Sequence, residues 1–232
     1  MFIKPIDKKF LFLSVIKVLA VLVLISLAIE ITSADQAFAD LLYQWEGNEW
    51  QFKDGWVTAT LIHKGGKYFS IALLLIVFAM LLISYTSSIL ASWKHSLQYL
   101  FVATVLGSLA VSIGKSITNI SCPWDFSRYG GTLEYLSLIE QLWVRNGSQC
   151  FPAGHASAGF AWVALYFVGR YHKATWRWWG LGFALLLGSV FGISQQLRGA
   201  HFFSHDLWSF GICWMVSLIC YEVMLKPYES TK

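Results

Sequence analysis

Residues 71–83 read IALLLIVFAMLLI, a run in which every side chain is apolar. A helix that crosses a bilayer needs about 20 consecutive, mostly apolar residues. Similar runs recur along the 232-residue chain, of which 56% is hydrophobic and only 13% is charged. Such a composition is typical of an integral membrane protein and argues against a soluble domain.

The apolar runs predict an all-α, polytopic membrane protein with six transmembrane helices in one bundle, so that residues 1–232 form a single domain. Two outer loops are expected, at about residues 33–69 and 115–153. The first loop is interpreted as an amphipathic stretch on the membrane surface, with a cap over a functional site as the alternative. The predicted spans lie at residues 10–32, 70–92, 96–114, 154–171, 177–197 and 204–225.

The basic residues indicate the orientation of the bundle. Six spans place both termini on one side, and ten of the 17 Lys and Arg residues fall on that side. Because Lys and Arg are enriched in cytoplasmic loops, we expect cytoplasmic termini in a bacterial inner membrane, with the opposite loops in the periplasm. The net charge of +4 is then explained without a nucleic-acid partner.

The sequence from Pro152 to His155 marks the beginning of the fourth apolar run. Proline suits the first turn of a helix, so Gly154 and His155 are expected at a helix N-terminus. Free backbone N–H groups and the helix dipole bind anions there, and a glycine lets the backbone approach its ligand closely. We therefore predict a phosphate-binding site at Gly154.

Two basic residues are expected at helix ends on the same side of the membrane. Lys115 closes the third span, and Arg198 ends the fifth span just before Gly199. Charged side chains are costly near lipid, so several of them at one level indicate a function. Both cations can point at a shared anion.

Three more polar residues, His201, His205 and Asp206, stand where the sixth span begins. An imidazole held by a neighbouring acceptor presents its other nitrogen as a nucleophile or base. With His155 as an acid, the set comprises a nucleophile, a proton donor and a cationic clamp.

These residues resemble the three motifs of the phosphatidic acid phosphatase type 2 superfamily, the membrane lipid phosphate phosphatases. That family's pattern is Lys-x6-Arg-Pro, Pro-Ser-Gly-His and Ser-Arg-x5-His-x3-Asp, and the resemblance covers Lys115 to Asp206 in order and spacing. It implies that His201 attacks phosphorus to give a phosphohistidine and that His155 protonates the departing oxygen. It also implies that Lys115, Arg198 and the Gly154 N–H hold the phosphoryl oxygens, without a metal or other cofactor.

Four positions depart from the family's pattern. The resemblance therefore does not decide which cations bind the phosphate or which residue orients His201. The departures are Cys122 and Gln195 in place of arginine, Ala153 in place of serine, and His205 in place of the final aspartate.

Two replacements are available for the missing side chains. Arg128, in the loop between the first two motifs, is a candidate for the lost first-motif cation. Either His205 or Asp206 could orient His201: residues i and i+4 share a helix face, which favours His205, whereas the family's chemistry favours the carboxylate.

Cys122 and Cys150 flank the first two motifs on the outer side. An oxidising periplasm permits a disulfide between them, and we expect one that ties the loop to the His155 helix.

The resemblance implies a metal-independent phosphatase or pyrophosphatase that acts on a lipid phosphate at the periplasmic face, with the acyl or prenyl chain remaining among the membrane lipids. Candidate substrates are phosphatidic acid, phosphatidylglycerol phosphate, undecaprenyl pyrophosphate and a lipid A phosphate. A lipid phosphotransferase that uses the same residues, and a non-catalytic lipid-phosphate binder or transporter, are the alternatives.

Overall fold

A computed structural model describes residues 7–145 and 147–231. Over these residues the chain is helical and contains no strand, as the all-α prediction requires. The α-helices are α1 (Lys8–Ile31), α2 (Ala34–Trp45), α3 (Gly66–Ile83), α4 (Ser88–Ala91), α5 (Lys94–Thr118), α6 (Leu138–Val144), α7 (Gly154–Phe160), α8 (Ala164–Tyr171), α9 (Arg177–Leu197) and α10 (Phe203–Met224). The other helical segments are a π-helix (Trp56–Gly65) and the 3-10 segments Pro123–Asp125, Ser127–Tyr129, Ala161–Val163 and Lys226–Thr231.

Within the described residues, five helical stretches are long and apolar enough to cross a membrane. They are α1, the continuous stretch from the π-helix through α3, the stretch that begins with α5, α9 and α10. The expected fourth span, residues 154–171, is divided into α7, the 3-10 segment Ala161–Val163 and α8. These long apolar helices indicate a membrane protein, and the count of six spans stays a prediction.

Most of the outer segment expected at residues 33–69 is helical, and its interpretation as an outer loop stays a prediction. α2 occupies Ala34–Trp45, and the π-helix Trp56–Gly65 continues directly into α3, so the second span begins well before residue 70. The polar residues and paired glycines near residue 65 resemble a turn signal in the sequence. In the structure Gly66 instead allows close packing, since a Cβ atom there would lie 2.5 Å from Cε1 of Phe191.

Both described chain ends lie at one end of the bundle. The Lys226 ammonium lies 4.2 Å from the centroid of the Phe10 ring. α5 begins near this end and α10 finishes there, so the C-terminus of α5 and the N-terminus of α10 lie at the opposite end. Lys4 and Lys232, which enter the charge argument for cytoplasmic termini, lie outside the described residues, and the orientation in the membrane stays a prediction.

The core lies among α5, α7, α8, α9 and α10. α7 and α9 approach so closely that a Cβ atom on Gly159 would lie 2.4 Å from the backbone nitrogen of Gly188. α1 is different, because its apolar side chains are mostly exposed and it packs on α10 through buried Leu22. This packing holds the ends of four core helices together, and those ends carry the predicted site residues.

Candidate active site

Lys115 and Gly154 meet where the C-terminus of α5 adjoins the N-terminus of α7. A Cβ atom built on Gly154 would lie 3.8 Å from Nζ of Lys115, in ordinary van der Waals contact. The backbone of Gly154 thus lies beside the ammonium group, and an anion site there stays a prediction.

The beginning of α7 is fastened to the first turns of α10. The Ala153 backbone N–H donates to the His205 carbonyl at 3.2 Å. The Ser209 hydroxyl lies 2.9 Å from the carbonyl oxygens of both Ala153 and His205. Ala153 is fully buried, so the position where the family has serine serves packing between the two helices here.

His201 and His205 form a buried pair at the N-terminus of α10. Their Nδ1 atoms lie 3.4 Å apart, and the two residues are only 6% and 1% exposed. The edge of the Phe151 ring packs against His205, with centroids 5.2 Å apart. One imidazole of the pair must donate and the other accept, so each restricts the tautomer of the other.

Burial also favours the uncharged form of His201. Desolvation lowers the pKa of its imidazole well below the ordinary value, and the neighbouring His205 and the Lys115 ammonium shift it in the same direction. His201 is therefore neutral at physiological pH, which is the form that a nitrogen nucleophile requires.

Asp206 lies on a different face of α10 from the histidine pair. Its Oδ2 accepts a hydrogen bond from the Gln196 side-chain amide of α9. A Cβ atom on Gly192 would lie 2.4 Å from the same oxygen, so the carboxyl group is packed against α9. Of the two candidates for orienting His201, the structure brings only His205 into contact with it.

His155 lies beside the π-helix, a segment that was expected in the first outer loop. Its Nε2 is 3.3 Å from the Ile62 carbonyl oxygen, and its ring centroid is 4.7 Å from those of His63 and Phe191. His63, which was expected in an outer loop, is thus a neighbour of the site. π-helical segments occur frequently at functional sites, but their sequence signal is weak.

Arg198 caps α9 and is held by two acceptors. Its Nε donates to the Lys53 carbonyl at 2.6 Å, and its Nη1 donates to Oε1 of Gln195 at 3.1 Å. Partial burial lowers the pKa of the guanidinium, which still remains charged in a protein. Gln195, which replaces a family arginine, therefore positions the nearby Arg198.

The segment around Trp50 covers this part of the site. Gly199 has φ 68°, and a Cβ atom there would lie 2.4 Å from Cε2 of the Trp50 indole. The Trp124 N–H donates to the Gly199 carbonyl at 3.0 Å. Residues 50–53 thus contact Arg198 and Gly199, which agrees with the cap alternative for this part of the expected loop.

Arg128 has a carboxylate partner in α2. Its Nε and Nη2 donate to the two carboxylate oxygens of Asp40 at 2.7 and 2.6 Å. This bidentate pairing with the guanidinium also lowers the pKa of Asp40. The contact joins the loop to α2, and a role of Arg128 as the replacement phosphate-binding cation stays a prediction.

Cys122 and Cys150 are joined by a disulfide, with their Cα atoms 5.3 Å apart. The bond closes a sequence separation of 28 residues and fastens the loop to the segment before α7. Together with Asp125 they form the group of possible metal ligands found among the described residues. The sulfur atoms of Cys122 and Cys150 are joined to each other, whereas a cysteine binds a metal as a free thiolate.

Replacing Cys150 by Ser is expected to lower the free energy of unfolding by about 3 kcal/mol, because the unfolded chain regains the freedom of the open loop. Thermal unfolding in detergent, with and without reductant, measures the effect. Reductant should destabilise the wild type and Cys220→Ser, which removes a buried free thiol, but should not further destabilise Cys150→Ser. Equal stability of the oxidised and reduced wild type would contradict the prediction.

A sequence model of the PAP2 superfamily matches residues 96–229, more than half of the chain. The matched region begins in α5 and extends past α10, so it contains all three motifs. α1, α2 and the segment that covers Arg198 lie before it. No curated protein and no solved structure matches the chain.

Proposed function

The chain belongs to the PAP2 superfamily, and from this membership we propose that it hydrolyses a lipid phosphate or pyrophosphate through a phosphohistidine intermediate. Members of this superfamily are phosphatases that act on phosphate esters. The observation that carries the finer proposal is the buried, neutral His201 beside His205, at the end of the bundle where Lys115 and Gly154 meet. We place this end at the periplasmic face of a bacterial inner membrane.

His201 is the proposed nucleophile. Its Nδ1 faces His205, which leaves Nε2 for the substrate. The lone pair of Nε2 forms a bond to phosphorus while the bond from phosphorus to the leaving oxygen breaks. Water then attacks phosphorus, the phosphorus–nitrogen bond breaks, and phosphate leaves with His201 restored.

His155 is the proposed acid and base. The Ile62 carbonyl can only accept a hydrogen bond, so its contact with Nε2 requires a proton on that nitrogen, and in the neutral ring Nδ1 carries a lone pair. As the acid, His155 therefore acts in its doubly protonated form, which the negative phosphate bound beside it favours. It gives the Nδ1 proton to the leaving oxygen in the first step and becomes neutral. In the second step it takes a proton from the attacking water.

The phosphoryl oxygens are assigned to the Lys115 ammonium, the Gly154 N–H and Arg198. Such donors stabilise charge that grows in the transition state, and they need no metal for this purpose. Arg198 uses Nε and one N–H of Nη1 for protein acceptors, so Nη2 and the second N–H of Nη1 are its donors for the substrate.

His205 is proposed as a positioning residue. If Nδ1–H of His201 donates to Nδ1 of His205, the His201 tautomer with an unprotonated Nε2 is selected. Asp206 makes its contact with Gln196 instead. The histidine thus takes the place that the family's pattern gives to aspartate.

His205→Ala is expected to lower kcat by about 10²-fold or more with little change in KM, because the wrong His201 tautomer then competes. His205→Asp should recover much of this loss, since a carboxylate also accepts from Nδ1–H. Steady-state kinetics of both variants and of Asp206→Asn test the assignment. If Asp206→Asn loses as much kcat as His205→Ala, and His205→Asp recovers nothing, the assignment of His205 fails.

A phosphate-release assay tests the proposed function. Purified protein in detergent is offered phosphatidic acid, phosphatidylglycerol phosphate, undecaprenyl pyrophosphate and a lipid A phosphate, each with and without chelator. We expect release of inorganic phosphate that the chelator does not reduce, and an acid-labile phosphoenzyme with labelled substrate. Label in an acceptor lipid would indicate a phosphotransferase, and binding without turnover would indicate a lipid-phosphate binder.

A further inference from the structure

The helix that carries His205 receives its N-terminal cap from a distant part of the chain. α10 begins at Phe203, and its N-cap residue Phe202 makes no side-chain hydrogen bond to the free backbone N–H groups. Oδ1 of Asp35 accepts a hydrogen bond from the Ser204 N–H at 2.9 Å, although the two residues are 169 positions apart. A helix N-terminus favours the charged form of such a carboxylate. Asp35 therefore fixes the first turn of α10, which contains His205.

Asp35 and His205 also line the same small cavity, of about 60 Å³, between the turn from α1 to α2, the loop before α6 and the beginning of α10. The Nδ1 edge of His205 faces His201, and its carbonyl oxygen accepts from Ala153 and Ser209. The opposite ring edge is therefore the part left for the cavity wall. Its Nε2 is buried without a hydrogen-bond partner among the described residues, so no acceptor there stabilises a charge on the ring.

The wall of this cavity is acidic. It includes Glu30 at the end of α1 and Tyr135 of the loop, besides Asp35. Burial raises the pKa of the Tyr135 hydroxyl, and the carboxylates of Asp35 and Glu30 raise it further. Burial also raises the pKa of the Asp35 carboxyl, and its hydrogen bonds with Ser204 counteract this shift. A negative potential thus extends across the cavity that His205 borders.

The proposed attack on phosphorus creates a positive charge beside this cavity. When Nε2 of His201 bonds to phosphorus and Nδ1 keeps its proton, the ring becomes a cation, and the Nδ1 contact shares the charge with His205. Such a charge is costly at residues that are only 6% and 1% exposed. The Lys115 ammonium disfavours it further, and the carboxyl group of Asp206 contacts Gln196 on a different face of α10.

We propose that Asp35 is a positioning residue for the His201–His205 pair, and that its carboxylate compensates the positive charge that forms on this pair during attack on phosphorus. The inference rests on the proposed function. Asp35 lies before residue 96, where the family match begins, so it is outside the region that contains the three motifs. Position 205 holds a histidine in place of the family's aspartate, and the negative charge comes instead from α2.

Asp35→Asn tests the charge, because asparagine also caps a helix but is neutral. We expect the burst rate with p-nitrophenyl phosphate to fall about tenfold, the effect of one unit in the basicity of the imidazole pair, with unchanged KM and melting temperature. Asp7→Asn is the matched control, since Asp7 caps α1 at the opposite end of the bundle, and it should keep the wild-type burst rate. Asp35→Ala, which removes cap and charge, should also lower the melting temperature.

Double variants test whether Asp35 acts through the histidine pair. In a His205→Ala background, Asp35→Asn should cause less than about a twofold further loss, because the partner that shares the charge is absent. Another tenfold loss in that background would overturn the role through His205. A wild-type burst rate in folded Asp35→Asn would overturn the charge role. An equal loss in Glu30→Gln would overturn the assignment to Asp35, because any carboxylate of the cavity would then suffice.

Nitrogen-15 NMR of protein labelled at histidine provides a readout without turnover. Asp35→Asn should shift the imidazole resonances that His205→Ala also removes or shifts, whereas Asp7→Asn should shift none of them. Such shifts in a protein that releases no phosphate would reject the phosphatase and keep Asp35 as the electrostatic neighbour of the pair. A phosphoenzyme that forms equally fast in Asp35→Asn, with unshifted imidazole resonances, would reject the role of Asp35 alone.

Discussion

His201→Ala is expected to lower phosphate release by about 10⁴-fold or more, because the variant has no nitrogen to form the bond to phosphorus. The clamp of Lys115, Gly154 and Arg198 would still bind the substrate, so KM should change far less than kcat. Single-turnover kinetics with labelled phosphatidic acid, combined with trapping of the acid-labile phosphoenzyme, measure both parts of this prediction.

The control for this variant is His95→Ala. His95 is an exposed histidine that stacks on Tyr228 at the end of the bundle where the chain ends lie. This variant should keep wild-type turnover and phosphoenzyme. Because His201 is buried, its replacement also needs a thermal unfolding measurement to show that the variant is folded. Normal turnover by folded His201→Ala would refute the nucleophile assignment.

His155→Ala is expected to lower turnover of a lipid phosphate by about 10²- to 10⁴-fold, the range for loss of a general acid. The loss should depend on the leaving group. p-Nitrophenolate leaves without protonation, so formation of the phosphoenzyme from p-nitrophenyl phosphate should be nearly normal in this variant. His201→Ala should instead be inactive with both substrates.

Burst kinetics with p-nitrophenyl phosphate separate the two steps, since His155 also activates water in the second step. His155→Ala should show a rapid burst of nitrophenol followed by slow release of phosphate. His63→Ala, which removes a ring 4.7 Å from that of His155, is the neighbouring control and should keep the leaving-group dependence of the wild type. An equal loss of turnover with both leaving groups would contradict the assignment of His155 as the general acid.

The order of apolar runs and motifs was enough to predict that Lys115, Gly154 and His201 belong to helix ends. These predictions depend on local rules, because each residue stands directly at the boundary of an apolar run. The i, i+4 spacing favoured His205 over Asp206 as the neighbour of His201, and the structure places the Nδ1 atoms of the two histidines in contact. His201 precedes α10, however, so this contact is not one along a helix face. The catalytic roles of these residues stay predictions.

The parts that sequence reasoning missed depend on contacts between distant residues. The pairing of Arg128 with Asp40 joins residues 88 positions apart, and the contact of Arg198 with Lys53 joins residues 145 positions apart. The periodicity of apolar residues along the sequence gives no information about such contacts. The π-helix was missed for a local reason, because charged residues and paired glycines near residue 65 interrupt the apolar run as a turn would.

The packing of the Trp50 indole against Gly199 affects how loss-of-function data on this protein are interpreted. Any side chain at position 199 would meet the indole at 2.4 Å and would also be strained by the φ of 68°. The same residue is two positions from His201 and holds Trp124 through its carbonyl. In a mutational scan, position 199 would therefore tolerate as little as a catalytic residue does, although glycine contributes no chemistry. Loss of activity on substitution of Gly199 would therefore indicate a steric constraint. Only the leaving-group and burst measurements distinguish such a position from the catalytic histidines.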